Sequence, residues 1–170
     1  NLGDFGSSTP NNFYDLLKQL EESTQIPRIR ISSIEPNLLS NEIVNLLSSS
    51  SRFMPHLHIP LQSGSNRILK LMKRRYSSEY YTDKIIQIKN TIPNICIGVD
   101  VITGFPTETE KDFEKTYQLL KDLKVSYLHV FTYSERENTL GVDIKPKVDE
   151  KIRLNRSKKL RGLSKKLKTK

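Results

Sequence analysis

The sequence predicts an α/β fold built on a parallel sheet. Short apolar segments rich in β-branched residues alternate with stretches whose apolar residues recur every three or four positions, the pattern of repeated βα units. A length of 170 residues gives one domain with a real core, below the size of a full eight-fold barrel. Right-handed crossovers then curl the strands into a barrel or leave an open sheet.

The elements follow in order. A Gly-Asp-Phe-Gly turn at 3–6 leads at once into helical spacing at Phe13, Leu16, Leu17 and Leu20, so a strand is expected to precede residue 1. The first strand is expected at 28–33, and Ile43, Leu46 and Leu47 mark a helix that ends in the serine run 48–51. The second strand is placed at 55–61. Tyr81, Ile85, Ile88 and Ile92 form the stripe of the next helix, which precedes a third strand at 95–102. Pro106 followed by Thr107-Glu108-Thr109-Glu110 reads as a capping box for a helix striped by Phe113, Tyr117, Leu120 and Leu123. A fourth strand is expected at 127–132. Val148, Ile152, Leu160, Leu163 and Leu167 then outline a basic amphipathic helix, whose stripe needs a partner that these residues need not contain. The boundary is set at 145: residues 1–145 as the sheet-forming part, 146–170 as a basic extension.

Composition narrows the function classes. No apolar run approaches the roughly 20 residues needed to span a bilayer, and the first residues are not a signal peptide, so a cytoplasmic protein is expected. The single cysteine, Cys96, excludes a disulfide framework or a cysteine metal site within this chain, and its place among Ile95 and Ile97 predicts a buried, inert thiol. The net charge of +9 is concentrated at one end: residues 145–170 hold 12 Lys and Arg against two acids, and the rest holds 16 against 17. A local excess of this kind is either a phosphate footprint or a solvated helix face.

In parallel α/β folds ligands sit at the carboxyl ends of strands. Those ends read Ser-Ser-Ile-Glu-Pro (32–36), His-Ile-Pro-Leu-Gln-Ser-Gly-Ser (58–65), Asp-Val-Ile-Thr-Gly-Phe-Pro-Thr-Glu (100–108) and Phe-Thr-Tyr-Ser (131–134). Glu35 could receive an amine or ribose hydroxyls, Gln62 and Ser63 offer polar contacts, and Gly64 and Gly104 would let a ligand approach the backbone. His56 and His58 share a strand face and with His129 invite a zinc reading. No carboxylate at metal-ligand spacing accompanies them in sequence, so no metal set is expected, and His58 is read as a cavity residue.

The segments 28–36, 55–65, 72–76 (Met-Lys-Arg-Arg-Tyr), 98–109 and 129–136 (His-Val-Phe-Thr-Tyr-Ser-Glu-Arg) together resemble, in order and spacing, the radical S-adenosylmethionine (radical SAM) methylthiotransferases. The Ser-Ile-Glu-Pro form of the first motif is similar to the branch that methylthiolates N6-threonylcarbamoyladenosine beside the tRNA anticodon. Other branches act on isopentenyladenosine or on a ribosomal protein. The resemblance implies strands three to six of a partial (β/α)6 barrel, and a C-terminal extension leading toward an RNA-binding domain. It also implies S-adenosylmethionine and [4Fe-4S] clusters as cofactors, tRNA as partner, an electron donor such as flavodoxin or ferredoxin, and a monomer.

In the family, three cysteines hold a cluster that cleaves S-adenosylmethionine to a 5′-deoxyadenosyl radical. None of those ligands is in this sequence, so the chain alone is expected to be inactive and no catalytic residue is assigned. The resemblance implies a cavity lined by Ser33, Glu35, His58, Gln62, Ser63, Asp100, Thr103 and Gly104, with Val130, Phe131 and Tyr133 flanking the adenine. Arg74, Arg75 and Arg136 are candidates for phosphate contact. A basic RNA-binding module without catalysis, and a barrel enzyme for a phosphorylated metabolite, are the readings from other classes.

Overall fold

A computed structural model describes residues 2–6, 8–136 and 139–168, apart from the side chain of Leu140. Three strands, β1 (His56–His58), β2 (Cys96–Thr103) and β3 (Tyr127–Thr132), form a parallel sheet in the order β1-β2-β3. Helix α1 (Phe13–Ser23) and α2 (Asn41–Ser49) precede β1. The crossover from β1 to β2 carries α3 (Asn66–Leu71) and α4 (Ser78–Thr91), that from β2 to β3 carries α5 (Glu110–Leu123), and α6 (Glu150–Lys168) follows β3. This is the alternation the sequence predicts, in a sheet that makes part of a barrel.

The four expected strands become three with a broken fourth run. Residues 28–33 lie parallel to the segment entering β1 but touch it only through two isolated bridges, Ile29 with Phe53 and Ser33 with His58. The partner advances by five residues while the first segment advances by four, so one residue is left over and the ladder breaks there. A second slip follows β1. His58 pairs with Gly98 but Gln62 with Val101, and the Leu61 and Gln62 amides both donate to the Asp100 carbonyl (3.1 and 2.9 Å). The carbonyls this slip releases are met by tyrosines: Tyr76 Oη donates to Pro60 O (3.1 Å) and Tyr81 Oη to Ile59 O (2.8 Å).

Alternation along the strands makes two different sheet faces. Leu57, Ile59, Leu61, Ile97, Val99, Val101 and Leu128 are buried, in one core with Tyr81, Ile85, Ile88, Phe113 and Leu120 of α4 and α5. The alternate positions, His56, His58, Cys96, Asp100, Tyr127, His129 and Phe131, lie on the opposite face and are half-buried or exposed. Cys96 is therefore not the buried thiol expected from its neighbours. Flanking isoleucines mark the covered face, and a single alternation puts the cysteine on the open one.

Four helices start at a side-chain cap. Asn12 and Asp15 form a capping box for α1, and Ser40 and Ser77 cap α2 and α4. The capping box of α5 is Thr109 with Asp112, two residues later than the expected Thr107-Glu110 pairing. Thr107 instead has φ 69°, a turn conformation outside the helix.

The partner of α6 lies within the chain. Leu160 and Leu163 are buried in the main core, and the helix covers the outer edge of β3. Ser164 Oγ accepts the Leu128 amide (2.9 Å) and reaches the Leu128 carbonyl (3.3 Å), so a side chain satisfies the edge that a fourth strand would otherwise pair. No helix among the described residues is long and apolar enough to cross a membrane.

Candidate functional site

A cavity of about 700 Å³ opens where β2, β3 and the run after β1 end. Gln62, Met72, Arg74, Ile102, Phe105, Phe131, Tyr133 and Arg136 line it. Gln62 sits at φ 66°, a consequence of the register slip, and Phe131 is half exposed (52%). Phe105 and Tyr133 meet edge to face with centroids 5.2 Å apart. Volume and lining suit a nucleoside-sized ligand: mostly apolar walls, aromatic faces and a few polar groups.

Of the residues expected to line this cavity, Gln62, Phe131 and Tyr133 do, with Arg74 and Arg136 among those expected to meet phosphate. Arg75 is exposed on a shallow neighbouring surface. Glu35 and Arg74 pair with each other, Arg74 Nη1 donating to Glu35 Oε1 at 2.8 Å, so Arg74 links the first segment to the cavity wall rather than standing free for a phosphate. Its Nε is buried with no hydrogen-bond partner among the described residues, a donor left for an acceptor. Ser33 is half-buried at its bridge to His58.

Eight of the eleven residues expected to line the cavity lie outside it, and four of these, Ser63, Thr103, Val130 and Gly104, are taken up by the protein itself. Ser63 is fully buried against α5, its Oγ 3.4 Å from Thr116 Oγ1 and accepting the Ser65 amide at 3.2 Å. Thr103 is buried between sheet and α6, where Oγ1 reaches the carbonyls of Phe131 and Arg153. Val130 packs on the core, the alternation placing it opposite Phe131. The space beside Gly104 is filled by protein: a Cβ there would sit 2.2 Å from Arg153 Cγ. Gly64 is likewise pressed on the backbone of α5, where a Cβ would sit 2.6 Å from the Thr116 Cα. Both glycines admit a close approach, by helices and not by a ligand.

What holds the rim was read in sequence only as a basic tail. Arg153 donates to Val148 O (2.7 Å), to Tyr133 O (3.0 Å) and bidentately to Glu135 (2.8 and 3.2 Å). Arg156 donates to Glu108 Oε2 (2.8 Å) and Glu110 Oε2 (2.9 Å), and Glu108 also accepts the Gly104 amide (2.8 Å). Burial pushes the Glu108 carboxyl above its ordinary value, opposed by the Gly104 amide and Arg156. On the other side, Asp112 is held well below the carboxylate range despite burial, by Arg67, Ser65 and Thr109. The two α6 arginines thus clamp the loops after β2 and β3.

One strand step below the cavity floor, on the same sheet face, three polar side chains meet. His58 Nε2 lies 2.8 Å and His129 Nδ1 3.4 Å from Asp100 Oδ1. The two histidines that share a strand do not both join this group. His56 turns to Tyr127 Oη (2.8 Å) and Arg30 (3.0 Å), and the carboxylate arrives from the adjacent strand, a proximity invisible to sequence spacing.

The sequence pattern described as the Radical SAM superfamily matches residues 4–120. The protein named threonylcarbamoyladenosine tRNA methylthiotransferase MtaB is 42% identical in Bacillus subtilis, over 90% of this chain and 34% of that protein. Its namesake in Aquifex aeolicus is also 42% identical, over 97% of this chain and 40% of that protein. The tRNA-2-methylthio-N(6)-dimethylallyladenosine synthase of Protochlamydia amoebophila is 38% identical, over 87% and 33%. The chain therefore spans between 33% and 40% of the length of these curated relatives. Among solved structures, the radical SAM enzyme coproporphyrinogen III oxidase (HemN) of Escherichia coli aligns with TM-score 0.70 at 18% identity, over 89% of this chain and 36% of that one. SuiB of Streptococcus suis aligns with TM-score 0.55 at 16% identity, over 81% and 29%. At these identities the structures establish a shared fold.

Proposed function

The chain belongs to the radical SAM superfamily, and we propose that it is the part of a tRNA methylthiotransferase that encloses the substrate nucleoside, with N6-threonylcarbamoyladenosine as the nucleoside modified. The observation that carries the choice of branch is the higher identity to the two threonylcarbamoyladenosine relatives than to the dimethylallyladenosine relative, over nearly the whole chain in both. The cavity is consistent with it: an exposed aromatic face at Phe131, a second ring at Tyr133, and the unpartnered Arg74 Nε to receive an acceptor.

The residues present fit S-adenosylmethionine better than they fit a cluster. For the former, the cavity that also takes the substrate nucleoside offers Gln62 as a polar contact beside Ile102, with Arg74 and Tyr133 kept for the substrate. For the latter there is only Cys96, at the opposite end of β2, roughly 20 Å along the strand from Ile102. Bound beside a cluster, S-adenosylmethionine supplies hydrogen abstraction and the transferred methyl group. This chain's contribution is positional: Phe131 and Tyr133 stack or flank the base, Gln62 and Arg74 orient polar groups, and Arg153 and Arg156 keep the rim in place. Arg136 at the cavity mouth and exposed Arg75 are offered as phosphate contacts. The same reading entails tRNA as partner, an electron donor such as flavodoxin or ferredoxin, [4Fe-4S] clusters held outside these residues, a monomer, and a cytoplasmic setting. It also makes residues 146–170 the lead into an RNA-binding part.

Disrupting the coding sequence and measuring tRNA nucleosides by mass spectrometry tests the proposal. The methylthio form of N6-threonylcarbamoyladenosine should vanish while the unmodified nucleoside accumulates. Loss of the methylthio form of isopentenyladenosine instead would move the chain to the other tRNA branch, and unchanged nucleosides would overturn the assignment.

A further inference from the structure

We propose that His58, Asp100 and His129 form a binding site for one divalent transition-metal ion of the zinc class, on the open face of the sheet just below the cavity. The three side chains come from three adjacent parallel strands. Asp100 is directly registered with His129, and His58 is registered with Gly98, two residues before Asp100. All three ligand atoms lie within 4.8 Å of one another, and two of the spacings are 2.8 and 3.4 Å. A tetrahedral ion with bonds of about 2.0–2.2 Å holds its ligands roughly 3.3 Å apart, so little more than a rotamer adjustment separates this arrangement from a coordinated one.

The donor set selects the class of ion. Two imidazole nitrogens and one carboxylate oxygen suit zinc or iron(II), whereas magnesium and calcium take oxygen-rich sites. Placement adds preorganisation. His58 and Asp100 are mostly covered (18% side-chain exposure each), while His129 keeps 52%, so two ligands are fixed and the third leaves a side open for a fourth ligand. His129 also lies between the His58 ring (centroids 5.2 Å apart) and the Tyr127 ring (5.1 Å), which limits its swing. A His–Asp hydrogen bond by itself satisfies one ring. It does not account for two rings aimed at a single carboxylate oxygen.

Calorimetric titration of zinc chloride into the metal-free full chain should show one site, and cobalt(II) should give visible d–d bands of a four-coordinate ion. Excess magnesium should displace neither. His129→Ala, at an exposed position that the fold does not need, should weaken binding by at least about tenfold, since even losing an outer partner of a metal ligand costs that much. Asp100→Asn should do the same, and His56→Ala, on the same strand outside the trio, should leave binding unchanged. Circular dichroism of each metal-free variant separates lost folding from lost ligation. If Asp100→Asn unfolds, His129→Ala decides alone. Absence of binding, equal affinity in His129→Ala, or equal weakening in His56→Ala overturns the site. None of these readouts involves S-adenosylmethionine or tRNA.

Discussion

At the scale of single residues, Gly104 shows most directly how one side chain's absence shapes the rim. Its φ of +76° is a conformation L residues avoid, and Arg153 occupies the space where a Cβ would go. Gly104→Ala should therefore destabilise the chain by about 1–3 kcal/mol from backbone strain alone, with a further cost from displacing Arg153. A urea midpoint measured for Gly104→Ala, Arg153→Ala and the double variant separates the two parts, because only the steric part is shared between the pair. A Gly104→Ala midpoint equal to that of the parent would refute the crowding. Sequence alone suggested this glycine as special but gave the wrong neighbour. A glycine after a strand tells that something comes close, and whether it is ligand or helix depends on a contact 49 residues away in the chain. Ser63 and Thr103 were misread for the same reason: polar residues at a strand end can serve the helix layer as well as the cavity.

At the scale of elements, α6 is held by ion pairs whose strength depends on pH. Glu135 is lowered from 4.5 to about 2 by its hydrogen bonds to Arg153. A folded value below the unfolded one contributes stability above about pH 4.5, and that contribution is lost as pH falls toward about 2. Asp112, also lowered, has the same sign, and so does His56, held below 6.5 by burial and Arg30, whose effect begins nearer neutrality. Glu108, raised by burial, opposes them in its own window above 4.5. The net expectation is a stability that falls with acidification, and Glu135→Gln should flatten the part between about pH 4.5 and about 2. Equal slopes for the two proteins in denaturant titrations across that range would show that the pair is not coupled to folding. Five of the six helices among the described residues were legible because their stripes are local, whereas α3, six residues long, is too short to show one. The first strand was not, since a one-residue slip against its neighbour is a property of two segments and is written in neither. The basic tail was legible as a helix but not as a clamp, because charge counts do not distinguish Arg153 and Arg156, buried at 8% and 5% exposure, from the solvated lysines around them.

At the scale of the whole molecule, the sheet has an apolar face closed by helices and a polar face left open, and all the candidate chemistry lies on the open one. Alternation alone produces this division, so the sequence showed which residues share a face but not which meet across strands, as Asp100 does with two histidines. That face offers nitrogen and oxygen donors and a single thiol at its far end. Anaerobic reconstitution of the isolated chain with iron and sulfide should accordingly give no four-iron absorption, because one cysteine cannot replace the thiolate set such a cluster requires. The outcome is informative beyond a blank spectrum. If the His58–Asp100–His129 trio takes up iron(II), the chain will carry about one iron without acid-labile sulfide, lost in His129→Ala and retained in Cys96→Ser. Sulfide bound in proportion to iron would contradict both the cluster argument and the mononuclear site. Iron without sulfide would separate two kinds of chemistry on one sheet: a nitrogen and oxygen site formed by this chain, and sulfur ligation that must come from elsewhere.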